Sequence, residues 1–356
     1  MVRRSSPILL VALLLVAACS DGDSTAAGDT TTATSPTGCA GGEPVSPGTE
    51  RLEVPYDGVT RAVERDIPPG YDGTTPHPLL LDLHGFSSNI EQQDLFSGLP
   101  EAAASRGYLV LTPQAEAATL AVGDQEMTAP FWNLRPDESG DIVGAQDDIG
   151  FLRELIASTI ADLCVDRARV YVTGNSMGAG MSAALACAMP DQIAAIAPVS
   201  GINLAAGCAD LAPVSVIAFH GDTDPLVGYD GTSAPGLGDD NPSVEDRVGE
   251  FAAVASCASA PGTTSPFADI DRHRWTGCSP GFDVELYTVV GGGHTWPGML
   301  NYVDAGQLAE IGSSQELVQL ADLDLTEIAG HMTVNLEATT VMLDFFDAHP
   351  TPGGAD

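Results

Sequence analysis

The sequence predicts an α/β fold, a mostly parallel central sheet with helices on both faces. Two observations carry that reading: short apolar runs alternate with longer stretches of helical spacing, and the runs are apolar throughout, which requires burial on both faces. In chain order, Leu52 to Ile67 reads as a hairpin turning at Asp57-Gly58 and added to a sheet edge. Leu79 to Leu83, Tyr108 to Leu111, Arg169 to Val172, Ile193 to Val199, Val214 to Phe219 and Val284 to Val290 read as the buried strands. Asp148 to Leu163 places Ile149, Leu152, Leu155, Ile156, Ile160 and Leu163 on one helical face. Further helices are expected over Met177 to Ala188, Val244 to Ser256 and Leu336 to Ala348, the last stopping before Pro350. Asp147 and Asp148 suit a cap and a first-turn charge better than catalytic work.

The 356 residues carry 49 acids against 13 bases, all of them Arg, for a formal charge of -36. Such a surface repels phosphate backbones, so nucleic acid is excluded as a partner class. Arg3 and Arg4 followed by the apolar run Ile8 to Ala18 read as an export signal over residues 1–18, too short to span a bilayer. The run closes on Val16-Ala17-Ala18-Cys19, which resembles a bacterial lipobox and makes Cys19 the expected lipid anchor and sole membrane attachment. Residues 19–38 are then a flexible tether, 39–350 one catalytic domain and 351–356 a disordered tail. Beyond Cys19 there are six cysteines, an even number in an exported chain, which points to three disulfides. Short separations favour Cys187 with Cys208 and Cys257 with Cys278, leaving Cys39 with Cys164, although six cysteines allow 15 pairings. The spacings match no metal motif, and no metal or cofactor is expected.

The chemistry centres on Gly174-Asn175-Ser176-Met177-Gly178, a G-x-S-x-G stretch between a strand and a helix. That setting is the one a nucleophile elbow requires: a tight turn lifts the serine hydroxyl above the sheet, at the positive end of a helix. A serine needs a base to take its proton. His294, in the loop Gly291-Gly292-Gly293-His294 after a late strand, is the expected base. Between them, His220-Gly221-Asp222-Thr223-Asp224 follows another strand and offers two carboxylates; Asp224 is taken as the acid and Asp222 as a turn former. The order Ser176, Asp224, His294 is that of α/β-hydrolases. Leu83-His84-Gly85-Phe86 ends an early strand, so the Phe86 and Met177 N–H groups are the expected oxyanion donors, with His84 bracing the loop. Trp132 and Trp296 are candidate surfaces for stacking on an acyl group or a sugar, and Trp275 reads as structural.

Over residues 79–346 these motifs, with Arg169 to Thr173, Ala194 to Val199, Phe219 to Pro225 and Thr295-Trp296-Pro297-Gly298, resemble the exported polyhydroxybutyrate depolymerase-like esterases. That group includes the feruloyl and acetylxylan esterases of carbohydrate esterase family 1. The resemblance implies the triad Ser176, Asp224 and His294, an ester substrate, and the two short-range disulfides. The segment Asn301 to Thr333 is longer than the usual connection to the last helix, which implies an altered substrate rim. The same triad would also serve a peptidase of the prolyl oligopeptidase type or a cell-wall acyltransferase, and a non-catalytic anchored binding protein is the reading from another class.

Overall fold

Asp57 and Gly58 both adopt positive φ, 46° and 80°, and this two-residue turn joins the strands β1 (Gly48–Tyr56) and β2 (Val59–Ile67) in antiparallel register. The computed structural model describes residues 39, 45–122, 125–134, 144–205, 207, 208, 211–233, 241–304, 306, 307 and 325–351. The expected signal, the Cys19 anchor, the whole of the tether and residues 352–356 of the tail lie outside them. After the hairpin come β3 (His77–Leu83), α1 (Ile90–Ser97), α2 (Leu99–Ala104), β4 (Leu109–Pro113), β5 (Ala117–Val122) and β6 (Gln125–Pro130). Next are α3 (Asp148–Asp162), β7 (Val165–Asn175), α4 (Met177–Ala188), β8 (Ala195–Val199), β9 (Ser215–Gly221) and α5 (Val244–Val254). The chain continues through β10 (Gly262–Phe267), β11 (Ile270–Trp275), β12 (Val284–Val289), α6 (Leu325–Ala329) and α7 (Ala338–Ala348).

Ten of the strands form one sheet in the order β1-β2-β4-β3-β7-β8-β9-β12-β11-β10, and β5 pairs with β6 in a separate ribbon. From β4 to β12 every neighbour is parallel, whereas β1, β2, β10 and β11 add antiparallel margins at the two edges. Parallel strands are covered on both sides, and the register shows how. One row across the sheet, Leu111, Leu81, Val172, Ile196, Val216 and Val284, packs with Phe151 and Leu155 of α3, Leu185 of α4 and Val248 of α5. The adjacent row, Val110, Leu80, Tyr171 and Ala195, faces the other way and packs with Leu99 of α2 and Met342 and Phe346 of α7. Period-two alternation thus builds two cores on one sheet, each fully buried Leu or Phe contributing about 2 kcal/mol.

Disulfides join Cys187 to Cys208 and Cys257 to Cys278, as their short separations suggest, and Cys39 to Cys164, the pair left by elimination. Asp147 caps α3 by accepting the Gly150 N–H at 2.9 Å. Asp148 does more than supply a first-turn charge: it is buried against the equally buried Arg61, Nη1 to Oδ1 2.6 Å, and accepts the Asn133 N–H at 2.7 Å. Arg61 also lies over the Phe151 ring, 4.0 Å from its centroid, and near Trp132.

Candidate active site

The expected triad and oxyanion residues are all carried at or just beyond the carboxyl end of a parallel strand. Ser176 follows β7, Asp224 follows β9, His294 follows β12 and Phe86 follows β3. Loops at that end of an open α/β sheet form its natural binding crevice.

Ser176 has φ 55° and ψ -118°, outside the region L-residues favour. Strain of that kind costs about 1 to 3 kcal/mol and persists only where the surroundings impose it. Here the Ser176 N–H donates to Val199 O at 2.8 Å, and its carbonyl accepts the Ala179 and Gly180 N–H groups of α4. The flanking glycines are needed for closeness: a Cβ on Gly178 would stand 2.0 Å from Leu83 O, and one on Gly174 would stand 2.5 Å from the same atom. A Cβ on Gly201 would reach within 2.1 Å of Ser176 O. The elbow is therefore wedged between β3, β8 and its own helix, with the serine side chain at the N-terminus of α4.

Asp224 is buried and fully engaged. Its Oδ1 accepts the Leu226 and Val227 N–H groups, each at 2.9 Å, and its Oδ2 lies 2.7 Å from His294 Nδ1. His220 Nε2 stands 3.3 Å from the same Oδ2 and donates to Val227 O at 2.7 Å. Burial alone would raise this carboxyl, but the electrostatic attraction of His294 and the hydrogen bonds from His220 and His294 outweigh it and hold Asp224 well below the usual carboxylate range. An aspartate that stays ionised against His294 Nδ1–H leaves Nε2 free to act as a base. Asp222 points elsewhere, accepting the Gly291 N–H at 2.6 Å. Ser200 Oγ donates to Thr295 O at 3.3 Å, and the neighbouring Val199 carbonyl holds the Ser176 amide, so the end of β8 ties the serine turn to the histidine loop.

The loop after β3 lies directly against the serine, since a Cβ on Gly85 would sit 3.2 Å from Ser176 Cβ and 3.8 Å from its Oγ. His84 is fully buried and fixes this loop. Its Nε2 accepts the Ala115 N–H at 3.0 Å, so the ring proton is on Nδ1, which donates to Gly85 O at 2.7 Å. Burial is the main cause that lowers the His84 pKa to about 4, which keeps the ring neutral. The Trp132 indole N–H donates to His84 O at 2.9 Å, and Ser87 N–H donates to Pro130 O at 3.0 Å. Met177 N–H belongs to the first residue of α4 and has no intrahelical acceptor. Among the described residues no backbone carbonyl takes the Phe86 N–H.

The two tryptophans are placed differently from expectation. Trp132 and Trp296 are 0% and 1% exposed, so neither offers a face to a ligand. Trp132 packs under the His84 loop, and Trp296 donates its indole N–H to Thr339 of α7 at 2.9 Å. At the loop after β3 the Phe86 and Phe131 rings, each 8% exposed, meet edge to face with centroids 6.4 Å apart. His220 was legible only as one histidine among several; its spacing of four from Asp224 is the signal that would have marked it. Trp275 is buried, in keeping with a structural role. Among the described residues no group of three or more His, Cys, Asp or Glu side chains is arranged to hold a metal ion.

Residues 64–275 match the family described as Esterase PHB depolymerase. A protein of Nocardia uniformis subsp. tsuyamanensis named "Putative esterase NocK" is 30% identical over 328 residues, 83% of this chain and 90% of that one. Feruloyl esterase B of Piromyces equi is 29% identical over 243 residues, 66% of this chain, and the match spans only 42% of that longer protein. Among solved structures, the acetyl xylan esterase from Aspergillus awamori superposes with a TM-score of 0.51 at 14% identity, covering 75% of this chain and all of that one, a likeness of fold. The chain belongs to the PHB depolymerase esterase family, with the α/β-hydrolase fold, and is a serine hydrolase acting on carboxylic esters.

Proposed function

We propose that Ser176, His294 and Asp224 form the catalytic triad of an extracytoplasmic esterase that cleaves feruloyl, acetyl or short hydroxyalkanoate esters through an acyl-enzyme. The observation that carries this reading is the 2.7 Å contact between His294 Nδ1 and the buried, ionised Asp224, at the same sheet end as the strained Ser176 elbow. Ser176 Oγ attacks the ester carbonyl while His294 Nε2 takes its proton, and Asp224 stabilises the imidazolium that forms. His294 then returns the proton to the leaving alcohol. Water repeats the sequence on the acyl-enzyme. The Phe86 and Met177 N–H groups face the developing oxyanion, and each such donor typically supplies roughly 3 kcal/mol to the transition state. The Phe86 and Phe131 rings suit an apolar acyl group beside them. No step calls on a metal or cofactor, and the residues needed are all contributed by this chain.

Three disulfides support a site of action outside the reducing cytoplasm. In this reading the signal over residues 1–18 is removed, acylated Cys19 anchors the protein, and the catalytic domain stands off on its tether. Expression under oxidising conditions and assay on p-nitrophenyl acetate, methyl ferulate and a 3-hydroxybutyrate oligomer test the reaction, with Ser176→Ala as control. Turnover that vanishes in the variant is expected, and the best ester names the substrate. A folded protein that cleaves none of the three would contradict the reading.

A further inference from the structure

The histidine loop contains three consecutive glycines, Gly291 to Gly293, and such a stretch does not hold one conformation by itself. On one side it is held by the acid loop: Asp222 accepts the Gly291 N–H, and the Thr223 N–H and hydroxyl both donate to Gly292 O, at 3.0 and 2.9 Å. On the other side lies the strap formed by α6 and the residues after it. His294 N–H donates to Ile328 O at 2.7 Å, Gly293 N–H to Ala329 O at 3.1 Å, and His331 N–H to Gly291 O at 2.7 Å. Gly292 and Gly330 form an antiparallel bridge between the two segments. The approach is so close that a Cβ on Gly293 would stand 2.1 Å from Ile328 O.

The strap has its own fastening, Asp269, in the tight turn between β10 and β11. Asp269 Oδ2 accepts from His331 Nε2 at 2.9 Å, and its Oδ1 accepts from Asn335 Nδ2 at 2.9 Å. Its backbone carbonyl takes the Val290 N–H at 2.9 Å, one residue before the glycines. One turn residue thus grips the end of β12 and two positions of the strap. The hydrogen bond from His331 is the main cause that keeps the Asp269 carboxyl low, at about 2, so the grip is ionic on at least one side at neutral pH.

We propose that Asp269, acting through His331 and Asn335, is a positioning residue that fixes the strap and through it the backbone of His294. This rests on the triad reading above. Asp224 orients the imidazole about its Nδ1, but where the ring stands relative to Ser176 depends on the loop backbone, which the strap carbonyls set. Displacement of a catalytic group by about 1 Å can cost on the order of 100-fold in rate. None of the three residues reaches the reacting atoms, and Asp269 and His331 lie toward the surface, with side chains 17% and 48% exposed.

The test compares Asp269→Ala, His331→Ala and the double variant in p-nitrophenyl acetate hydrolysis and in the rate of labelling by a fluorophosphonate, with Ser176→Ala in parallel. Asp269→Ala is expected to lower kcat about 10- to 100-fold with KM within about twofold, and to slow labelling in step. His331→Ala should lose less, and the double variant should equal Asp269→Ala, because the two act as one unit. Asn335→Ala, which removes a single bond, should fall between the parent and Asp269→Ala and keeps the test open should the larger change impair folding. Single variants that stay within about twofold of the parent, losses that multiply in the double variant, or a loss confined to KM would overturn the proposal. Activity that survives Ser176→Ala would instead overturn the triad reading on which it rests.

Discussion

Asp222 and Asp224 stand two residues apart in one loop and serve different ends. Asp224 takes two backbone amides and the His294 ring, whereas Asp222 takes the Gly291 amide. Asp224→Asn keeps the shape but offers the wrong hydrogen-bonding partner to the imidazole, and kcat should fall on the order of 10,000-fold. Asp222→Asn retains an acceptor for Gly291 and should leave kcat far nearer the parent; steady-state kinetics on one ester separates the two. Equal losses would show that the acid had been misassigned. At this scale the sequence was most legible where function demands a motif: the serine between glycines, the histidine and the acid each follow a strand in the right order. It was least legible where a side chain could be either core or surface. Trp132 and Trp296 carry the chemistry of a stacking platform, yet the fold spends both as braces, and nothing local to either residue signals which use prevails. His220 and Asp269 are partners whose roles exist only once distant loops meet.

Elements followed the same division. The buried parallel strands announced themselves because a sheet covered on both faces needs continuous apolar runs, and α4 was bounded correctly by Ser176 and the break before Pro190. The hairpin β1 to β2 was marked by Asp57-Gly58, a pair suited to positive φ. Strands β10 and β11 went unread: β10 is exposed along its whole length, and β11 is the charged stretch Ile270 to Trp275, so neither carries an apolar period. They are strands because β12 offers an edge, and Arg272 pairs with Glu285 across the seam, Nη2 to Oε1 2.6 Å. The ribbon β5 to β6 escaped for a similar reason, pairing strand to strand only within itself among the described residues. Helices α1 and α2 are short, and α1 depends on the Asn89 cap, whose side chain accepts the Gln92 N–H, and on the left-handed Gly98 that ends it. The histidine strap, α6, lies in the segment expected to be long and to alter the substrate rim; its interest comes from the carbonyls it presents to His294 and not from any pattern of its own.

For the molecule as a whole, buried carboxyls set the pH dependence of stability. Asp82 is wholly buried on β3, bonded to Gln93 Nε2 and Ser97 Oγ at 2.6 Å each, and burial pushes its pKa to about 7. Asp94 is pushed to about 8, by burial first and then by the charges of Asp82 and Glu64. Both groups have ordinary values near 3.8 in the unfolded chain. Above that value the folded protein holds protons that the unfolded chain has released. Their contribution is therefore complete below about pH 4 and is lost as pH rises to 7 and 8. Asp224, held low, works in the opposite direction: its contribution is present above 3.8 and is lost as pH falls. Self-repulsion in a chain of charge -36 adds to the alkaline loss. Urea unfolding should show greatest stability near pH 4 and a fall of a few kcal/mol, roughly, by pH 8, reduced in Asp82→Asn. A flat profile shared by both proteins would contradict this account.

Ser176 is the proposed nucleophile, and trapping it tests that assignment at the reacting atom. The protein would be treated with a fluorophosphonate, digested, and mapped by mass spectrometry. A single adduct on the peptide carrying Ser176, absent in Ser176→Ala and strongly slowed in Asp224→Asn, is the expected result. A folded protein that takes up no label, or one labelled equally well without Ser176, would contradict the account.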